Sequence, residues 1–163
     1  MFRLRDFLVK DMDEMLVIDH ECFVPGIAYS RGEMQSFVEK KGSFGIMAEP
    51  TPEALERIKK SNPKMAAHKL AGFIITEVPP KNYGHVITID TRSQYRRYGL
   101  GSMLMAAAEE RVRKMDGFMM ALEVAVNNTV ALAFYKRHKY TVVKTLPRYY
   151  GRELDALLLT KRL

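Results

Sequence analysis

The most constraining stretch of the chain is Gln94-Tyr-Arg-Arg-Tyr-Gly99-Leu-Gly101-Ser102. It stands between an apolar run at 85–91 and a segment from Leu100 with helical periodicity through Leu104, Ala107, Ala108 and Val112. A strand that passes through glycines straight into a helix commits the chain to a β-turn-α unit. A further strand at 119–126 makes that unit a βαβ crossover with locally parallel strands. The first amides of a helix are unpaired donors with partial positive charge. Two glycines let a ligand approach that backbone, and Arg96 and Arg97 add positive potential, so the turn suits a pyrophosphate. A Walker loop is excluded because no Gly-Lys-Ser/Thr follows, and a dinucleotide turn lacks its third glycine because position 104 is Leu. The remaining alternative is a strand-to-helix turn that binds nothing.

The flanking sequence is read in the same way. Alternation predicts a strand over 2–10. Asp11 is placed to cap a helix over 11–22, with Glu14 completing the capping pattern. Residues 23–29 form a loop broken by Pro25-Gly26, and Ser30 caps a second helix to about 40 with Glu33 at the capping-box position. A strand follows at 43–49. In the segment 50–66, Thr51 and Pro52 predict a short exposed helix over 52–60, stopped by Ser61-Asn62-Pro63. Strands are expected at 70–78, 85–91, 119–126, 141–146 and 156–160, with helices at 100–115 and 128–137 and a loop at 147–153. The class is therefore α/β (α+β). A mixed sheet of six to seven strands, flanked by about four helices besides the short one, makes a single domain over 1–163.

Composition narrows the class of function. At 163 residues, 47 % hydrophobic and 28 % charged, the chain can bury one core as a globular protein. No apolar run approaches the ~18 residues that cross a bilayer, and the first residues lack a signal-peptide stretch. The single cysteine, Cys22, cannot form an internal disulfide and makes a metal site improbable, so a cytoplasmic, reducing location is the expectation. A net charge of +7 attracts nucleic acid, acidic proteins or a polyphosphate. The lysines and arginines are scattered, without zinc-finger spacing, a basic helix or a glycine-aromatic RNA motif. Nucleic acid is therefore not expected as a partner, and a solvated basic surface is the plain alternative.

Two blocks carry a family resemblance. Arg96-x-x-Gly99-x-Gly101, after a strand and before a helix, resembles the acetyl-CoA pyrophosphate loop of GNAT acetyltransferases. Leu122-Glu-Val-Ala-Val-Asn-Asn128-Thr-Val-Ala131-Leu-Ala-Phe134-Tyr135 resembles the strand, asparagine, helix and tyrosine of the same superfamily. Its particular likeness is to the RimI-like enzymes and the catalytic subunits of eukaryotic Nα-acetyltransferases. The resemblance covers most of the chain and is strongest over 85–140. It implies the GNAT fold, acetyl-CoA as cofactor, and direct transfer of an acetyl group in a ternary complex to a primary amine. The foremost candidate acceptor is the N-terminal α-amine of a protein or peptide, and the chain is expected to be a monomer or weak homodimer.

The same resemblance implies roles residue by residue. Arg96, Arg97, Gly99, Leu100, Gly101 and Ser102 hold the pyrophosphate, while Ile89, Thr91, Asn128 and Ala131 meet the pantetheine arm. Glu123 is the candidate base, and on its own it reads as an exposed strand glutamate. Tyr135 falls with Ala131 on one face of the helix from Asn128 and is the candidate acid beside the cofactor sulfur, against a core aromatic as alternative. His85 could share the base role, since histidine titrates near neutrality, although an exposed strand-end residue is the favoured reading of it alone. Tyr29, Tyr149 and Tyr150 are assigned to the acceptor, with simple loop packing as alternative.

Departures from the family pattern are visible. Lys139 stands where glycine is common after the second helix, at about 1 kcal/mol if the left-handed turn is kept. The strand before the turn ends in Asp90-Thr91 rather than an apolar pair. The 50–66 segment either shapes the acceptor site or, as favoured, decorates the surface. Competing functions are acetylation of a small amine (a polyamine, aminoglycoside or amino acid), against which the basic charge argues, and a silent acyl-CoA-binding module, which would have lost the base. Cys22 has no visible partner for a covalent mechanism.

Overall fold

Phe73, Ile74 and Ile75 are consecutive and all fully buried, so the strand that carries them must be covered on both faces. It is the third of seven. Strands β1 (Phe2–Asp6), β2 (Ser43–Pro50), β3 (Gly72–Glu77), β4 (Tyr83–Thr91), β5 (Met119–Ala125), β6 (Thr141–Leu146) and β7 (Ala156–Arg162) form one sheet in the order β1-β2-β3-β4-β5-β7-β6. Only β4 and β5 pair in parallel. Helices α1 (Met12–Cys22) and α2 (Arg31–Glu39) cover one face through Met15, Ile18 and Met34, packed on Met47, Phe73 and Ile75. Helices α3 (Pro52–Ser61), α4 (Leu100–Lys114) and α5 (Thr129–Arg137) share the other core, with Ile58, Leu104, Val112 and Tyr135 among Ile74, Val86, Leu122 and Val124. The computed structural model describes residues 1–64, 67–151 and 153–163; Met65 and Ala66, which end the 50–66 segment, and Arg152 of the 147–153 loop lie outside them. No helix among the described residues is long and apolar enough to cross a membrane.

Two irregularities shape the middle of the sheet. β4 and β5 pair only through Tyr83–Met119, Gly84–Met120 and His85–Ala121, and beyond that point the strands part. At Gly84 a Cβ would lie 2.5 Å from Met120 Sδ and 2.6 Å from a Val112 methyl, so only glycine lets α4 sit this close to the pairing. The β3–β4 ladder shifts between Ile75 and Thr76: Val86 pairs with Thr76 and Thr88 with Ile75, leaving Ile87 as the extra residue of a bulge.

The strand and helix order matches the expectation, and four local readings are corrected. β1 stops at Asp6, and a 3-10 turn at Val9–Asp11 leads into α1. Asp11 does not cap α1 with its side chain: the carboxylate takes the Leu8 amide at 2.8 Å and both ends of the Arg5 guanidinium at 2.7 and 2.8 Å. Charge-assisted bonds of this kind outweigh a neutral cap. Glu14 likewise turns away from its expected capping partner to accept from the Leu70 amide at 2.9 Å. Finally, α3 is more than surface decoration, because Ala54 and Ile58 are 1 % and 3 % exposed and close the core beside β1. By contrast Ser30 and Glu33 form the expected capping box, Thr51 accepts from the Ala54 amide at 3.3 Å, and Lys139 keeps the left-handed turn at φ 66°.

Candidate active site

The parting of β4 and β5 leaves backbone and side chains of two strands facing a gap instead of each other. A cavity of about 480 Å³ occupies it, walled by Ile87 and Ile89 of β4, Glu123 of β5, and Asn128, Ala131 and Tyr135 of α5. The loop between α1 and α2 closes another side with Val24, Ile27 and Tyr29, and the loop before β7 supplies Tyr150 and Leu154. Each of these two tyrosines meets one of the separated strands. The Tyr29 hydroxyl donates to the Ile87 carbonyl, and the Tyr150 hydroxyl to the Glu123 carbonyl, each at 3.4 Å.

Glu123 carries the centre of charge. Its Oε2 accepts from His85 Nε2 at 2.7 Å, His85 Nδ1 faces Glu77 Oε1 at 3.3 Å, and Lys40 Nζ pairs with Glu77 Oε2 at 2.6 Å. His85 is therefore not the exposed strand-end residue that its position alone favours; the pairing register sets it across from Ala121 and against Glu123. Burial disfavours its charged form, but the hydrogen bonds and charges of Glu123 and Glu77 prevail, and its pKa is raised above the ordinary histidine value. With both ring nitrogens on carboxylates, the imidazolium satisfies both partners. The pair then takes up a proton more readily once His85 is neutral, so activity that uses it rises with pH through the raised pKa. Replacing Glu77 by Gln removes one of the influences that raise it. The acid limb of kcat at saturating substrates should accordingly move to lower pH in Glu77→Gln, and an unmoved limb in a pH–rate titration would detach His85 from the reaction.

Tyr135 lines the same cavity from α5. It is 7 % exposed, and burial, with the Asp90 charge adding to it, pushes its phenol well above the usual value. It therefore keeps its proton at physiological pH and has one to donate. Asn128 accepts from the Ala131 amide at 3.1 Å and so serves as the cap of α5.

The glycine turn lies beside this cavity and outside its wall. Among the described residues, no acceptor takes the backbone N–H groups from Arg97 to Ser102. Gly99 has φ 78°, a left-handed conformation, and opens α4. Gly101 has a further reason to be glycine, since a Cβ would press to 3.2 Å on the Phe134 ring. Leu100 is buried in the core and offers only its amide. Arg96 folds back to donate to the Thr91 carbonyl at 3.1 Å, and Ser102 Oγ meets His138 Nε2 at 2.9 Å.

Comparison with known proteins gives the family and the fold. The model of the acetyltransferase (GNAT) family matches residues 27–140. The chain belongs to that family. It is 37 % identical over 82 residues to the N-alpha-acetyltransferase 20 of Dictyostelium discoideum, covering 50 % of this chain and 47 % of that protein. It is 36 % identical over 77 residues to an N-alpha-acetyltransferase of Sulfurisphaera tokodaii, covering 47 % of this chain and 46 % of that one. The chain thus spans about half the length of these curated relatives. Among solved structures, Ard1 of Thermoplasma volcanium superposes with a TM-score of 0.81 at 20 % identity, covering 99 % of this chain and 97 % of that one. Arabidopsis thaliana NAA60 in complex with acetyl-CoA gives 0.80 at 18 % identity, covering 100 % and 99 %. At such identities these likenesses establish the GNAT fold.

Within this GNAT domain the residues singled out in the sequence separate into groups. Glu123, Tyr135, Ile89, Asn128, Ala131, Tyr29 and Tyr150 share one cavity. His85 reaches that cavity through Glu123. Thr91, Arg96, Arg97, Gly99, Leu100, Gly101 and Ser102 stand together at the turn. Tyr149 is 49 % exposed and packs edge-on against Tyr150 at 4.9 Å instead of joining the wall. Cys22, Asn127 and Leu154 line the cavity without having been singled out. Cys22 is the last residue of α1, and nothing in its helical periodicity marks it as facing a strand end. Burial, foremost, pushes its thiol up to about 11, which disfavours the thiolate.

Proposed function

We propose that this GNAT domain transfers an acetyl group from acetyl-CoA to a primary amine, and that the amine is the N-terminal α-amine of a protein or peptide. The observation that carries the reading is that Glu123, hydrogen-bonded to His85, and Tyr135 line one cavity between separated strands. The family membership supports the reaction, and the names of the N-alpha-acetyltransferase relatives support the acceptor.

The residues present fit the donor. The free amides from Arg97 to Ser102, at the positive end of α4, suit its pyrophosphate, with Arg96 and Arg97 adding charge. Ile89, Asn128 and Ala131 line the same cavity as Glu123, and Thr91 ends the strand that leads to the turn. When bound, acetyl-CoA supplies an acyl group activated as a thioester. With the donor bound, Glu123, backed by His85, would accept the proton that the amine gives up, and Tyr135 would give a proton or hydrogen bond on the side of the leaving sulfur. The α1–α2 loop and Tyr150 hold the acceptor chain, with Tyr29 and Tyr150 covering strand carbonyls and Val24 and Ile27 offering an apolar wall.

The test is release of free thiol from acetyl-CoA against a panel of N-terminal peptides and small amines. Turnover confined to peptides with a free α-amine is the expected result. Turnover with polyamines or antibiotics alone would replace the acceptor, and binding of acetyl-CoA without turnover on any amine would remove the catalytic reading.

A further inference from the structure

Two carboxylates of the core take no part in the chemistry described. Asp19, in the last turns of α1, and Asp90, near the end of β4, are both 0 % exposed. Asp19 Oδ2 accepts from the Tyr29 amide at 2.7 Å, and Asp90 Oδ1 accepts from the Thr88 hydroxyl at 2.6 Å. The other oxygen of each, Asp19 Oδ1 and Asp90 Oδ2, is buried without a partner. α1 packs on β4, and Cys22, one turn on from Asp19, reaches the Thr91 carbonyl next to Asp90, which sets the two carboxyl groups beside one another. Two bare carboxylates cannot stay buried in contact; a single shared proton satisfies both orphaned oxygens at once.

We infer that Asp19 and Asp90 form a proton-sharing pair that positions the acceptor loop, tying the α1–α2 loop through the Tyr29 amide to the end of the strand that leads into the glycine turn. A second tie runs parallel to it. Cys22 Sγ donates to the Thr91 carbonyl at 3.5 Å, where Arg96 also donates. Tyr29 is thus held at its amide by Asp19 and at its hydroxyl by the Ile87 carbonyl, and its ring stays in the cavity wall. The inference rests on the reading of that loop as the acceptor's wall.

Burial, foremost, raises both carboxyls, and Asp90 is held well above the ordinary range. The other titratable groups around the pair are His20 and Cys22 on α1, Tyr29 in the loop, Glu33 on α2, Arg96 at the turn and Tyr135 on α5. For groups whose pKa is raised in the fold, the contribution is present at low pH and is lost as pH rises through the raised value. Loop order should therefore weaken on the alkaline side of that raised value.

The experiment compares Asp90→Asn with Asp90→Leu. Asparagine can keep the Thr88 bond and donate to Asp19 without a titrating proton, whereas leucine can do neither. Asp90→Leu is expected to raise KM for the acceptor peptide about tenfold or more, the loss of a charge-assisted bond, with KM for acetyl-CoA within about twofold. Asp90→Asn is expected to restore the acceptor KM and to lack the alkaline rise in it that the unmodified protein shows. Hydrogen exchange of the Tyr29 amide, measured without substrates, should quicken about tenfold or more in Asp90→Leu and stay slow in Asp90→Asn. Equal exchange in all three proteins, or an Asp90→Asn variant that keeps the alkaline rise, would overturn the pair. If leucine prevents folding, the pH profile and exchange of Asp90→Asn decide. If no acceptor is turned over, the proposed function fails, and the exchange measurement still judges the pair.

Discussion

Glu123→Gln is expected to lower kcat by about 10²–10⁴-fold while leaving KM for acetyl-CoA near that of the unmodified protein. The substitution is nearly isosteric, and the amide oxygen of glutamine can still accept from His85 Nε2, which now stands 2.7 Å from the carboxylate. The fold and the wall of the cavity are thus preserved. What disappears is the capacity to take a proton from an amine, because a carboxamide is not a base. The turn proposed for the pyrophosphate offers backbone amides on a different element, so cofactor binding has no reason to change. Thiol release under saturating acceptor, with binding of acetyl-CoA measured separately, separates the two effects. A kcat within about threefold of the original would remove Glu123 from the mechanism, since general-base catalysis accounts for far more than that.

Lys161→Met is expected to cost about 3–5 kcal/mol of folding stability without altering the chemistry of the site. Lys161 lies on β7 and places its ammonium 2.8 and 2.7 Å from the two oxygens of Glu109 on α4, whose side chain is only 7 % exposed. The Tyr140 hydroxyl adds a third bond at 3.0 Å, and burial, with the Glu109 charge next, pushes that phenol far up. Removing the lysine leaves the Glu109 carboxylate between a helix and the sheet with only the Tyr140 hydroxyl and the more distant Arg113 guanidinium, which is more costly than the pair is worth. The double variant Glu109→Leu, Lys161→Met should recover part of the loss, because two apolar side chains fill the same space while the buried Tyr140 hydroxyl loses its acceptor. Urea unfolding of the single and double variants measures both. A loss below about 1 kcal/mol for Lys161→Met would mean that Glu109 reaches water once its partner is gone.

Much of the molecule could be read from local rules. The glycine turn is legible because few sequences connect a buried strand to a helix with paired arginines and two glycines, and the structure adds only that Gly101 also yields to Phe134. Ser30 with Glu33 and Thr51 with Pro52 announce helix starts, since their side chains find donors within three residues. Asp11 offers the same signal and misleads, because Arg5 lies on a neighbouring element and a charged partner outbids the local amide.

What the sequence by itself determined is the order of the elements, the glycine turn that opens α4 and the candidacy of Glu123 and Tyr135, all of which depend on contacts a few residues apart or on short motifs. The tertiary structure alone decided which of these groups meet. His85 reaches Glu123 only because β4 and β5 pair in parallel for three residues and then part. Asp19 comes beside Asp90 only because α1 packs across the far end of β4, where Cys22 reaches the Thr91 carbonyl. Both encounters join residues distant in the chain, and no propensity or spacing encodes them; they follow from sheet order and register, which are set when the two cores close on the sheet together.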